Sequence, residues 1–306
     1  MIYTITLNPS IDYVMFTDQL DLGALNRATV THKFAGGKGI NVSRVLNALS
    51  ETSTALGFIG GFPGDFIKSS LEASSIHTDF IRVDEDTRIN VKLKGGNETE
   101  INAPGPTIQA AQIDALLNQI KALTQDDFVI IAGSVPKSMP DDIYATIASI
   151  CATQKIPFVV DAEKELLTQT LPFHPEFVKP NKVELEEMFN VTINNDQDTI
   201  AAARQLMALG AKNVLVSLGG EGAILVTETD CYKAVVPNGK VINTVGSGDS
   251  TVAGMVAGLE QHKSIEACFK QAVSCGTATA FTEDLATSAQ IAEIINNVTI
   301  TKIEGK

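Results

Sequence analysis

The stretch 242–256, INTVGSGDSTVAGMV, changes character half-way along. From Gly248 or Asp249 onward its small and apolar residues predict a buried helix, whose entrance then holds two glycines, Gly246 and Gly248, and one carboxylate, Asp249. Glycines at such an entrance let backbone N–H groups approach an anion closely, because no Cβ intervenes, and the helix N-terminus adds a favourable dipole. A plain capped turn, with Ser247 or Asp249 near the N-cap, satisfies the same residues. Two glycines inside the helix favour the first reading. Gly254 and Gly258 each cost about 1 kcal/mol relative to alanine, so this helix is expected to pack closely against another backbone.

Working outward, short apolar runs recur along the chain: IYTITL from Ile2, STALGFIG from Ser53, FVIIAG from Phe128, IPFVVD from Ile156 and NVLVSL from Asn213. They are apolar on both faces. Most are followed by helical spacing, as in Ile113, Leu116, Leu117 and Ile120, or Ala203, Leu206 and Met207. That alternation predicts an α/β fold with a buried, mainly parallel sheet, and ligands beyond the carboxyl ends of its strands. Two other segments have period two. In RATVTHKF, Ala28, Val30, His32 and Phe34 alternate with polar residues, and in RINVKL Ile89, Val91 and Leu93 alternate with Arg88, Asn90 and Lys92. Such strands bury one face only. With the turn KGGNE behind the second, they predict a small second sheet whose apolar face covers a site or a partner subunit, as a lid or dimer clasp. An ordinary surface hairpin layer fits the same pattern.

Other glycine-rich stretches repeat the theme. AGGKGINVSRVL sets Gly36, Gly37 and Gly39 around Lys38 just before a helix, a second entrance of backbone donors with a cation added. Arg88 carries a planar fork suited to phosphate. SLGGEGAILV reads as a strand, a glycine turn and a returning strand, while KPNKVELEEMF places Asn181 as an N-cap with Glu184 three residues on, a capping box. Each has a purely structural explanation when taken alone. No Walker A sequence is present and no complete G-x-G-x-x-G follows a strand, which weighs against P-loop and nicotinamide chemistry.

Composition narrows the field further. At 306 residues the chain can bury a large core, and its net charge of −13 argues against a nucleic-acid or anionic-membrane surface, so an anionic ligand needs a local cationic pocket. No apolar run reaches about 18 residues and no signal-like N-terminus is present, which predicts a cytoplasmic protein. Cys151, Cys231, Cys268 and Cys275 form no C-x-x-C pair, and Cys268 and Cys275 stand about 10 Å apart along an expected helix, so free buried thiols are predicted. The four histidines show no metal-ligand spacing.

In their order along the chain, TLNPSID (6–12), AGGKGINVSRVL (35–46), TRINVKL (87–93), GSVP (133–136), VKPNKVELE (178–186), SLGGEG (217–222) and NTVGSGDS (243–250) resemble the PfkB carbohydrate kinase family, which is similar to ribokinase. TRINVKL and GGKGINV are most similar to its 1-phosphofructokinase branch, with the tagatose-6-phosphate kinases next. The resemblance implies one ribokinase-like domain over 1–306, a three-layer α/β/α body with a β lid from about 12–34 and 87–103, ATP and Mg2+ as cofactors, and often a homodimer through the lids. It implies that Asp249 is the catalytic base and that the amides of Gly246, Ser247 and Gly248 form an anion hole. Asp12, Gly37, Lys38, Asn41, Arg88 and Ser134 would hold the sugar phosphate. Lys179, Asn181, Ser217, Leu218, Gly219, Gly220, Glu221, Gly222 and Gly248 would hold ATP, with Glu184 reaching magnesium through water. The branch implies transfer of phosphate from ATP to the C6 hydroxyl of fructose 1-phosphate. Asp161 is followed here by Ala162 and Glu163 where relatives often carry small hydroxyl residues, and it stays unassigned.

Overall fold

The computed structural model describes residues 1–304. Its main sheet contains parallel strands β1 (Ile2–Thr6), β4 (Ser53–Ile59), β9 (Phe128–Ala132) and β10 (Phe158–Asp161), with the short β5 (His77–Thr78) and β6 (Ile81–Arg82) beside β4. These are the runs apolar on both faces, and successive side chains feed two cores. Ile5, Val129 and Ile131 pack on helices Ala110–Lys121, Ile143–Gln154 and Asp196–Ala208, while Ile2, Phe128 and Ile130 pack on helices Lys38–Ala48, Ser247–Glu260 and Ile265–Ala280. Three layers follow from that two-sidedness.

Beyond β10 the sheet continues through a single extended segment. Val178 bridges Val160 on one side and Val214 on the other, and Asn181 bridges Ser217, all in parallel sense. There the sheet turns antiparallel, through β11 (Val214–Ser217), β12 (Ala223–Val226), β13 (Cys231–Val235) and β14 (Thr299–Ile303). The carboxyl ends of β1, β9, β10, the 178–181 segment and β11 therefore lie along one edge, carrying Asn8, Ser134, Asp161, Lys179 and the 217–222 turn.

The second sheet has the order β3–β2–β7–β8, from β2 (Ser10–Phe16), β3 (Val30–Gly36), β7 (Arg88–Gly95) and β8 (Asn97–Ile101). β7 and β8 are joined at Gly96, whose φ is +66°. One expectation for this sheet is corrected by its register. Phe34 pairs with Asp12 and Asp12 with Asn90, so the apolar set of β3 shares a face with the polar set of β7. On β7 the buried residues are Asn90 and Lys92, turned toward the body, whereas Ile89 points outward at 36% exposure. Only the root of the outer face is covered, where Ile11 and Ala35 pack on Ile67 and Leu71 of helix Gly61–Ala73.

The helix of the opening motif runs Ser247–Glu260 and takes Gly246 as N-cap. Gly254 and Gly258 do pack against a backbone. A Cβ on Gly254 would lie 2.8 Å from Ala272 Cα, and one on Gly258 would lie 2.9 Å from Cys268 Cα. All four cysteines are buried and free.

Candidate active site

Two helix entrances converge on the edge where the strands end. Gly37, with φ +121°, caps helix Lys38–Ala48, and Gly246, with φ +81°, caps helix Ser247–Glu260. Across that junction Asn41 Nδ2 donates to Asp249 Oδ2 at 2.8 Å, between residues 208 apart in the chain. Gly248 makes room for a side chain. A Cβ there would lie 2.9 Å from Lys179 Nζ, so its absence lets the ammonium reach the helix end. The amides of Gly246 and Gly248 have no backbone acceptor among the described residues, whereas the Ser247 amide donates to the Thr244 carbonyl at 3.2 Å. Two of the three expected anion-hole donors are thus free, and the third is engaged in the turn.

Asp161, left unassigned from sequence, is the electrostatic centre of the site. It is 5% exposed, with Lys179 Nζ 3.5 Å from Oδ1 and Lys38 Nζ 3.6 Å from Oδ2. Burial pushes its carboxyl up, but the two ammonium groups outweigh burial and hold it below the ordinary carboxylate range. For Asp249 the balance reverses. Burial, then the charge of Asp161, push it up to about 6, and the Asn41 hydrogen bond and the two lysines offset only part. Lys38 is held above its usual value because Asp161 and Asp249 outweigh its own desolvation. Two buried carboxylates with environments pulling in opposite directions mark one as a permanent counter-ion and the other as a group able to take a proton near neutrality.

Two cavities meet here. One, of about 630 Å³, is lined by Asp12, Gly37, Lys38, Asn41, Arg88, Ser134, Asp161, Glu184 and Asp249. All six residues expected to hold the sugar phosphate face it. The other, of about 520 Å³, is lined by Ser217, Gly219, Gly220 and Gly222 and by residues no motif signalled, including Val236, Gly239, Val273 and Phe281. Lys179, Asn181 and Gly248 belong to both walls. Of the residues expected around ATP, Leu218 and Glu221 are absent from that lining: Leu218 turns into the core and Glu221 lies exposed in the turn. The first cavity also recruits Asn90, Lys92 and Glu100 from the lid. The alternation that includes Asn90 and Lys92 was visible, but the opposite, apolar face was expected to cover the site, and no motif signalled Glu100.

Arg88 spans the rim of the first cavity. Nη1 donates to the Ala103 carbonyl at 3.1 Å and Nη2 to the Asn8 carbonyl at 2.9 Å, and Nη2 stands 3.5 Å from Ser134 Oγ. Asn181 and Glu184 form the expected reciprocal box: the Asn181 amide donates to Glu184 Oε2 at 2.8 Å, and the Glu184 amide donates to Asn181 Oδ1 at 2.9 Å. Glu184 Oε1 remains outside the box. Among the described residues no three acidic, histidine or cysteine side chains cluster as a metal cage. A carboxylate oxygen left outside the box at the wall of the first cavity suits a hard divalent cation that keeps its waters and is held mainly by substrate oxygens.

The model of the pfkB family carbohydrate kinases matches residues 4–292. The chain belongs to that family. Among pfkB kinases, the 1-phosphofructokinase of Bacillus subtilis is 44% identical over 303 residues, covering 99% of this chain and 100% of the relative. A tagatose-6-phosphate kinase of Staphylococcus epidermidis is 37% identical over 281 residues, covering 90% and 91%. The crystal structure of a candidate phosphofructokinase from Staphylococcus aureus is 62% identical, covers 100% of both chains and superposes with a TM-score of 0.91. As a pfkB kinase the chain is a sugar phosphotransferase with an alcohol acceptor and ATP as a substrate.

Proposed function

We propose that this chain transfers the γ-phosphoryl group of ATP to the C6 hydroxyl of fructose 1-phosphate, giving fructose 1,6-bisphosphate and ADP. The observation that carries the reading is the seam: Gly248 and Lys179 belong to both cavities, and Asp249 faces the polar one from the same helix turn. Arg88, Ser134 and Lys38 supply the cationic and hydrogen-bonding wall for a sugar phosphate, and the glycine turn 217–222 with Phe281 and Val236 supplies a flat, partly apolar slot for a nucleotide. The B. subtilis relative, similar over its whole length, supports fructose 1-phosphate as the acceptor.

Asp249 acts as base and as aligner. A kinase turning over at about 1 to 100 per second has a barrier near 15 to 17 kcal/mol. A sugar hydroxyl is about as weak an acid as water, roughly 10 units above a carboxyl at about 6, or about 13 kcal/mol, so prior deprotonation would consume most of that barrier. The proton therefore moves late, as the new P–O bond forms, and Asn41 keeps Asp249 directed at the hydroxyl. The free Gly246 and Gly248 amides, the helix N-terminus, Lys38 and Lys179 stabilise charge on the migrating group. Glu184 would hold Mg2+ through water, and the ion when bound would neutralise phosphate oxygens. Lid-to-lid homodimerisation and a cytoplasmic location complete the proposal; free buried thiols agree with a reducing compartment, and no helix among the described residues is long and apolar enough to cross a membrane.

The test is ADP release measured over fructose 1-phosphate, fructose 6-phosphate, tagatose 6-phosphate and unphosphorylated sugars, with the highest kcat/KM expected for fructose 1-phosphate. A preference for tagatose 6-phosphate would select the second reading, which the S. epidermidis relative supports. A ketofuranose has exocyclic carbons at both ends, so the two substrates differ by little more than a rotation and one hydroxyl configuration. Absence of turnover on every sugar, with binding intact, would select a sugar-phosphate sensor. Asp249→Asn is expected to keep both substrates' affinities and lower kcat by orders of magnitude; near-normal turnover rules out the base assignment.

A further inference from the structure

Lys92 sits at the centre of the inner lid face, with its side chain only 10% exposed. Burying an ammonium is costly unless it is paired. Its Nζ lies 3.3 Å from Asp12 Oδ2 and 3.7 Å from Glu100 Oε1, and an ammonium carries three donors. With two ion-pair partners among the described residues, at 3.3 and 3.7 Å, at least one donor remains on a group that lines the first cavity.

Its neighbours are fixed around it. Asn90 is held at both ends, donating one Nδ2 hydrogen to Asp12 Oδ1 at 3.1 Å and accepting from the Ala103 amide at 3.2 Å. Asp12 Oδ1 also takes the Ser10 hydroxyl at 2.8 Å, and its carboxyl is pressed against Gly36, where a Cβ would come within 2.7 Å of Cγ. Asp12 Oδ2, whose one polar partner among the described residues is Lys92, keeps an acceptor position. A clamped acceptor thus stands beside a clamped donor. Arg88 lies four residues away on the same strand face, about 13 Å along the strand, tied to the opposite rim of the cavity.

We propose that Lys92 is a specificity-determining residue, which with Asp12 forms a donor–acceptor pair that reads the vicinal ring hydroxyls of the acceptor sugar while Arg88 holds its phosphate. The inference rests on the sugar-phosphate kinase reading and deepens it. In a ketofuranose the vicinal pair is at C3 and C4, and C4 configuration is what separates fructose from tagatose. The Lys92–Asp12 pair then supplies the discrimination that the near-symmetry of the ring denies to the phosphate site.

The experiment is steady-state kinetics of the wild type, Lys92→Met and Lys92→Arg with fructose 1-phosphate and its C4 epimer tagatose 1-phosphate, with ATP affinity and thermal midpoint measured alongside. Lys92→Met is expected to raise the sugar-phosphate KM roughly 10- to 100-fold, the equivalent of one hydrogen bond to a charged group, to leave ATP affinity within about 3-fold, and to narrow the kcat/KM ratio between the epimers. Lys92→Arg is expected to recover part of both losses. An unchanged sugar KM, an equal weakening of both substrates, or an unchanged epimer ratio overturns the proposal while wild-type turnover keeps the kinase reading intact. A wild type inactive on both sugars overturns the fructose 1-phosphate reading on which the proposal rests. Should Lys92→Met not fold, Lys92→Gln carries the same expectations.

Discussion

Asp249 and Asp161 show how two identical side chains acquire different work. Both are buried, yet Asp161 lies between Lys38 and Lys179 while Asp249 has a neutral amide as its nearest partner and feels Asp161 as a like charge. The acid limb of the kcat/KM profile is therefore expected near pH 6. Asp161→Asn removes that like charge, so the limb should move to lower pH even as the two lysines lose their anchor and kcat falls; an unmoved limb would separate Asp161 from the base. Stability carries the same signature with a definite sign. Asp249 titrates above its ordinary 3.8, so the contribution is fully present below that value and lost as pH rises through about 6. At pH 7.5 the wild type bears a cost of up to about 3 kcal/mol that Asp249→Asn does not. Thermal melts should find Asp249→Asn the more stable protein at pH 7.5, with the gap closing toward pH 4.

The helix Ser247–Glu260 positions Asp249 only because it lies flat against helix Ile265–Ala280. Gly254→Ala makes a quantitative test of that contact. Alanine gains about 1 kcal/mol of helix propensity, but its Cβ would meet Ala272 Cα at 2.8 Å and Cys275 Sγ and the Gln271 carbonyl at 2.9 Å. Overpacking typically costs 1–3 kcal/mol, so a net loss is expected as a lower urea midpoint at unchanged slope. Gly220→Ala is the control: nothing lies within 4 Å of its Cβ position, and stability should hold. At this scale the body strands and the buried helix were legible, because a run apolar on both faces has one stable home between two helix layers. Strand β14 was not, since the half-exposed TITKI carries neither a clean alternation nor an apolar run.

For the molecule as a whole, the second sheet has two faces of different character. Its inner face is polar where it covers the sugar cavity, and its outer face leaves Ile89 and Ile101 at 36% and 59% exposure. Joining two such faces would bury this apolar strip and align the lids, the arrangement proposed above for the homodimer. Ile101→Asp places a charge in that strip without touching the cavity lining, so light scattering should find the variant monomeric where the wild type is dimeric; a wild type that is monomeric at micromolar concentration refutes the clasp.

Local pattern by itself determined the α/β class, the parallel body, the two glycine entrances, the capping box at Asn181 and the close-packed helix at Gly254, because each depends on backbone conformation or burial within a dozen residues. Tertiary structure alone decided that Asn41 meets Asp249, that Asp161 joins two lysines from distant segments, that the Ser247 amide is occupied, and that Lys92 faces inward. Those facts depend on strand register and on which carboxyl ends share an edge. Charge coupling acts through space, and the distance between two charges is set by packing rather than by their separation along the chain.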